Sequence, residues 1–103
     1  MTDAFRKHDA GKPRYSLLPP RALEHAVRAL MHGADKYGHE NYLNATEADE
    51  QRYWDATQRH LWAVMRGEDI DPDSGLTHLS CATANLLLLA EINEAQKRET
   101  PDQ

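Results

Sequence analysis

Four leucines stand in succession, Leu86 to Leu89, in a stretch with no proline or glycine from Leu76 to Arg98. A helix has about 3.6 residues per turn, so four consecutive positions cover nearly its whole circumference. A helix that is apolar on every side cannot be buried by one neighbour. The stretch is therefore predicted to be a helix over residues 76–97, covered on more than one face. Ser74 or Thr77 would cap it, and residues 99–103 would form a frayed tail. Its inward face is read as Leu79, Ala82, Thr83, Leu86, Leu89 and Ile92.

Two further helices are predicted from apolar periodicity. In the first, over residues 20–37, Leu23, Ala26, Val27, Leu30, Met31 and Ala34 recur on one face. Pro20 suits its first turn and Gly38 its end. In the second, over residues 47–66, Thr46 and Asp49 have capping-box spacing. Its inward residues are read as Tyr53, Trp54, Thr57, Leu61, Val64 and Met65, and Gly67 closes it. No strand pattern and no internal repeat is present. The expected fold is all-α: a three-helix hairpin-type bundle with an extended N-terminal arm, completed by oligomerisation. At 103 residues the chain is one domain (1–103), with an ordered core at about 11–97. A domain this small gains much from burying its remaining apolar surface against a copy of itself.

The formal net charge of −5 argues against a nucleic-acid polymer as partner, because phosphate neutralisation needs a basic face. One cysteine, Cys81, rules out an intrachain disulfide and points to a reducing compartment. The first residues lack a signal peptide's apolar core, and the longest apolar run, Leu86 to Ala90, cannot span a bilayer. A cytoplasmic location with no membrane partner is expected.

The polar residues gather at helix junctions. Lys12 and Arg14 flank Pro13 in the arm, where two cations on a stiffened backbone can meet phosphate or simply face water. Lys36 and Tyr37 end the first helix, with Asn41 and Tyr42 just beyond. Lys36 there complements the helix dipole, a role that needs no ligand. It can also contact phosphate, while Asn41 reads a base edge and Tyr37 or Tyr42 stacks on a base. Arg59 and His60 lie on the second helix, and His60 on an apolar face can equally be a hydrogen-bonded core residue.

Glu68, Asp69, Asp71 and Asp73 crowd into one turn. Asp69, Asp71 and Asp73 imitate the start of a calcium-binding EF-hand loop, but Ser74 and Ser80 occupy the positions that require glycine and glutamate. Mg²⁺ asks for less, one or two carboxylates plus substrate phosphates, and an acidic capping loop asks for no ion. His78 and Asn85 share one face of the third helix, seven residues apart, with Cys81 one turn after His78. Zinc, which wants four well-placed ligands, is disfavoured.

Taken in order, GKPRYSLLPP, GADKYGHENY, RHLWAVMRGEDIDPDSG and HLSCATANLLLL form a pattern. It resembles the N-terminal domain of bacteriophage dATP/dGTP diphosphohydrolases over roughly residues 11–92. It is also similar to the all-α, MazG-like nucleoside triphosphate pyrophosphatases. The resemblance implies a helical fold, a purine nucleotide ligand and a divalent metal. It marks Lys12, Arg14, Lys36, Tyr37, Asn41, Arg59 and Asn85 for ligand binding and His60, His78 and Glu68 for catalysis. Mg²⁺ or Mn²⁺ would sit on Glu68 and Asp71. The sequence lacks the EExxE of MazG-like enzymes, and its ExxD, Glu68 to Asp71, precedes Pro72 in a turn. Two functions follow as expectations. One is metal-dependent hydrolysis of a purine deoxynucleoside triphosphate with release of pyrophosphate. The other is capture of a nucleotide without turnover, for example a host signalling nucleotide sequestered to blunt immunity.

Overall fold

The computed structural model describes residues 10–38 and 41–99. The described chain is helical: α1 (Pro20–Tyr37), α2 (Glu47–Met65) and α3 (His78–Glu99), with short 3₁₀ turns at Tyr15–Leu17 and Asn41–Asn44. Among the described residues the only β pairing is an isolated antiparallel bridge between Ile70 and Thr77.

Local sequence sets each boundary. Pro20 occupies the first turn of α1, and Gly38 ends it at φ 95°, a conformation that side chains with a Cβ rarely adopt. The Gly38 amide donates back to the Ala34 carbonyl at 2.8 Å. Thr46 opens α2 with a complete capping box: its hydroxyl accepts from the Asp49 amide, and the Asp49 carboxylate accepts from the Thr46 amide at 3.0 Å. Thr77 caps α3, its hydroxyl accepting the Ser80 amide at 3.1 Å.

α3 is the spine. Both α1 and α2 pack along it, while α1 and α2 scarcely touch each other. The buried apolar set is small-residued: Ala26 and Ala29 of α1, Ala63 of α2, and Cys81, Ala82, Ala84, Leu89 and Ile92 of α3. The largest fully buried side chain is Thr57, whose hydroxyl donates to the Tyr53 carbonyl one turn back. Small side chains let helix axes approach closely, but they bury little apolar area.

The inward faces predicted from periodicity are therefore partly corrected. Leu23, Val27 and Met31 of α1, Trp54, Leu61, Val64 and Met65 of α2, and Leu79 and Leu86 of α3 are exposed, as is Thr83. The faces were right in part: Ala26, Thr57, Ala82, Leu89 and Ile92 are buried as predicted, but small residues form most of the helix seams and leave many of the larger side chains exposed. In the arm, residues 10–19 are exposed throughout, including Tyr15, Leu17 and Leu18.

Candidate functional site

The polar centre forms where α2 hands over to α3. Gly67 leaves α2 at φ 90°, its amide donating to Val64, and the Glu68 amide reaches back to the Ala63 carbonyl at 2.9 Å. This paired closure satisfies the last carbonyls of α2 and swings Glu68 off the helix. The following turn is tied at its neck by Asp71 N–H to Leu76 O (2.7 Å) and His78 N–H to Asp69 O (2.8 Å). Within it, the Ser74 amide and hydroxyl both donate to Asp71 Oδ2, at 3.0 and 2.8 Å. Burial pushes the Asp71 carboxyl up, but these hydrogen bonds outweigh it and hold the group below its usual range. Asp71 is thus an oriented carboxylate.

His60, from the second-last turn of α2, meets His78, from the first turn of α3. Their Nδ1 atoms are 2.8 Å apart, so one ring donates to the other. Burial lowers the pKa of His60, opposed by the Asp71 carboxylate and reinforced by His78. His78 is 7% exposed. Its other nitrogen, Nε2, is buried with no hydrogen-bond partner. The nearest charge is Glu68 Oε2 at 3.8 Å, too long for a hydrogen bond. Donor atoms of His60, Asp71 and His78 lie within 4.8 Å of one another.

The acidic turn is also tied to α1. Lys36 Nζ donates to Asp73 Oδ2 at 2.8 Å, and His32 Nε2 lies 3.4 Å from the same oxygen. The Lys36 hydrogen bond lowers the Asp73 pKa, and the same contact raises that of Lys36. Lys36 also sits 5.3 Å from the Tyr37 ring centroid. The crowding of carboxylates is relieved from both sides: by lysine at Asp73, and by Arg66 at Glu68, 3.6 Å away.

Farther along α3 a cleft opens between α1 and α2. One lobe, about 470 Å³, is lined by Arg52, Tyr53 and Arg59 of α2 with Tyr37 and Asn85. The adjoining lobe, about 310 Å³, shares Tyr37, Tyr53 and Asn85 and adds Tyr42 and Gly33. Three tyrosines and an amide thus meet two arginines.

The structure brings His60, His78, Glu68 and Asp71 together at one junction, and Tyr37, Arg59 and Asn85 in the cleft beside it. Lys12 and Arg14 are exposed, and among the described residues no hydrogen bond or ion pair joins them to either place. The side chain of Asn41 lies outside the described set. Cys81 is buried with Sγ 3.4 Å from Ser74 Oγ. Three contributors have roles the sequence did not assign: Arg52 was not singled out, Ser74 was read as a helix cap, and Asp73 as one of four crowded carboxylates. Arg52 stands seven residues before Arg59, a spacing that puts both on one helix face. Ser74 sits at the D-x-x-S spacing of a side-chain-stabilised turn. Asp73 shows no local signal, because its partners are on α1.

The family profile described as "dATP/dGTP diphosphohydrolase, N-terminal" matches residues 2–102. A dATP/dGTP diphosphohydrolase of Salmonella phage PMBT28 is 34% identical over 83 residues, covering 81% of this chain. That alignment covers 28% of the relative's own length. No solved structure matches the chain significantly.

Proposed function

The chain belongs to the dATP/dGTP diphosphohydrolase N-terminal family, and on that premise we propose that it binds a purine deoxynucleoside triphosphate and hydrolyses it to the monophosphate and pyrophosphate. The observation that carries this reading is the layout of α3. Asn85, in the tyrosine-lined cleft, and His78, in the polar junction, stand seven residues apart on one helix face, a rise of about 10 Å. That separation suits a base at one end and phosphates at the other. Tyr37, Tyr42 and Tyr53 would stack on the base, and Asn85 would hydrogen-bond its edge. Arg59, one residue before His60 on α2, would reach phosphate oxygens from the cleft.

In the reaction, water adds to the α-phosphorus and the bond to the bridging oxygen breaks, so pyrophosphate leaves. His60, kept neutral by burial, is suited to take the proton from that water. His78 holds the His60 ring in place through the Nδ1 pair. A divalent ion, Mg²⁺ or Mn²⁺, would be held by Glu68 and Asp71, and would supply charge neutralisation on the phosphates. The oriented Asp71 carboxylate and the unpaired His78 Nε2 fit such a guest.

The second partner in this reading is another copy of the chain. The eleven large apolar side chains exposed on the three helices between Leu23 and Leu87 (tyrosine apart) offer roughly 1,000 Å², beside about 800 Å² per partner in a standard stable interface. A core whose buried residues are mostly alanine cannot supply that burial from within one chain.

The test is incubation of the purified protein with a panel of deoxynucleoside and ribonucleoside triphosphates and Mg²⁺ or Mn²⁺, with products resolved by chromatography. Deoxypurine monophosphate plus pyrophosphate is expected. Bound but unaltered nucleotide would overturn hydrolysis in favour of capture, a reading that the missing EExxE motif supports.

A further inference from the structure

We propose that His60, Asp71 and His78 form a binding site for a first-row transition-metal ion, and that this site discriminates against Mg²⁺. The inference rests on the reading above for the junction and names its ion class; with the ion bound, His60 and His78 are its ligands, and the ion takes the place of the Nδ1 hydrogen bond and of His60 as base. Three observations support it.

The first is the donor set. Two imidazoles and one carboxylate converge within 4.8 Å. Imidazole suits Fe²⁺, Ni²⁺, Cu²⁺ and Zn²⁺, with Co²⁺ between them in affinity order, and Mn²⁺ accepts it less readily, whereas Mg²⁺ prefers oxygen ligands and keeps its waters. A site built from Glu68 and Asp71 alone would suit Mg²⁺. The histidines change that preference.

The second is the contact between the two rings. Their Nδ1 atoms stand 2.8 Å apart, in the same cluster as the Asp71 carboxylate. At metal–ligand bonds of about 2.1 Å, ligand atoms stand roughly 3.0–3.8 Å apart, so the rings need only part slightly and tilt for both to reach one ion. His78 Nε2, buried and unpaired, lies on the far edge of its ring beside Glu68 and takes no part in this contact.

The third is the support around the ligands. Ser74 donates twice to Asp71 Oδ2 and so fixes that carboxylate's plane. The His78 backbone is fixed by its amide bond to Asp69 O, and that of His60 by the α2 helix. Ligands held by such outer contacts lose little freedom on binding. The donors also come from three separate places, the end of α2, the turn and the start of α3. A guest ion there would staple the junction.

The experiment uses the full chain, stripped with a chelator and free of nucleotide. Calorimetric titration with Co²⁺, Mn²⁺ and Mg²⁺ gives affinities, the visible absorption of bound Co²⁺ reports geometry, and pulsed electron paramagnetic resonance of bound Mn²⁺ reports nitrogen ligands. One Co²⁺ per chain is expected, bound at least tenfold more tightly than Mg²⁺, with imidazole nitrogen couplings in the Mn²⁺ spectrum. His60→Ala and His78→Gln should each weaken Co²⁺ binding by about 10- to 100-fold. His25→Ala, on an exposed histidine of α1, should leave it unchanged. Circular dichroism checks that each variant keeps its helices; since His78 is buried, the His60 variant stands as the second line. Equal affinity for Mg²⁺ and Co²⁺, absent nitrogen couplings, or unchanged binding in folded His60→Ala would overturn the proposal. Because no nucleotide is present, the two readings fail separately. Tight Co²⁺ binding without turnover of any nucleotide leaves this site standing and removes the hydrolase. Turnover with Mg²⁺ and no nitrogen coupling does the reverse.

Discussion

His60 and His78 meet Nδ1 to Nδ1 at 2.8 Å across the junction of α2 and α3. A hydrogen bond between two imidazole nitrogens needs a lone pair on one of them, so at least one ring is neutral. The pair therefore offers a base beside the oriented Asp71 carboxylate. Loss of a positioned acid–base group lowers turnover by about 10²–10⁴-fold. His60→Ala is expected to lower kcat for dATP and dGTP in that range with little change in KM. Steady-state kinetics check this, and a variant with kcat near wild type would remove His60 from the reaction.

Arg59 and Asn85 belong to the cleft and not to the junction, so their loss should appear in binding. A charge-assisted hydrogen bond contributes about 1.5–3 kcal/mol, at least about tenfold in affinity. Arg59→Ala is expected to raise KM tenfold or more across all triphosphates. Asn85→Ala should instead change the ranking among bases. A competition assay with several bases separates the two, and an unchanged ranking in Asn85→Ala would place the base elsewhere.

The helix ends were legible because their signals are local. Pro20, Gly38, Thr46 with Asp49, and Gly67 each act within one turn of their own position. His60, Glu68, Asp71 and His78 were legible as candidates because they cluster around one predicted junction. The helix faces were legible only in part: Ala26, Thr57, Ala82, Leu89 and Ile92 were read inward and are buried. Periodicity marks leucine and alanine alike as apolar, and only packing decides that Ala29, Ala63 and Ala84 also face inward while Leu23, Leu79 and Leu86 face out. The commitment of Lys36 to Asp73 was equally hidden, since their pairing depends on how α1 docks beside the turn.

The alanine seam gives a stability prediction. Ala82 is 1% exposed on the face of α3 that its neighbours cover. A larger side chain there must push the helices apart, and overpacking costs typically about 1–3 kcal/mol. Ala82→Leu is expected to lower the urea midpoint accordingly, although leucine is nearly as good a helix former as alanine. Urea denaturation followed by circular dichroism checks it; unchanged stability would mean that the seam is looser than described.

The Thr46–Asp49 capping box gives a pH prediction. The Thr46 amide, and then its hydroxyl, hold the Asp49 carboxylate below its ordinary value of 3.8. A carboxylate with a depressed folded pKa stabilises fully above its unfolded value, and the contribution is lost as pH falls through the folded value. The stability gap between wild type and Asp49→Asn is thus expected to be largest near neutrality and to shrink below pH 4. Thr46→Ala removes the hydroxyl half of the box at about 1 kcal/mol. Denaturation curves at neutral and acid pH decide the matter, and a gap that widens on acidification would contradict the assignment.

The exposed face of α3 gives the last prediction. Leu79, Leu86 and Leu87 point away from the buried side of the helix, and Leu79 is 57% exposed. α1 adds Leu23, Val27 and Met31 at four-residue spacing, and α2 adds Trp54, Leu61 and Met65. Monomers rarely leave contiguous apolar patches beyond a few hundred Å² open to water. A second copy would cover these stripes and complete the layer that one chain lacks. Light scattering at micromolar concentration is expected to report a dimer or higher oligomer. Leu79→Glu together with Leu86→Glu, at sites that bury little within the chain, should dissociate it, because a carboxylate resists burial in an apolar interface. Those substitutions should leave the helical signal of the dissociated chain largely intact if its own alanine seams hold the three helices together. A wild-type monomer, or an oligomer indifferent to both glutamates, would show that this face is not where copies meet.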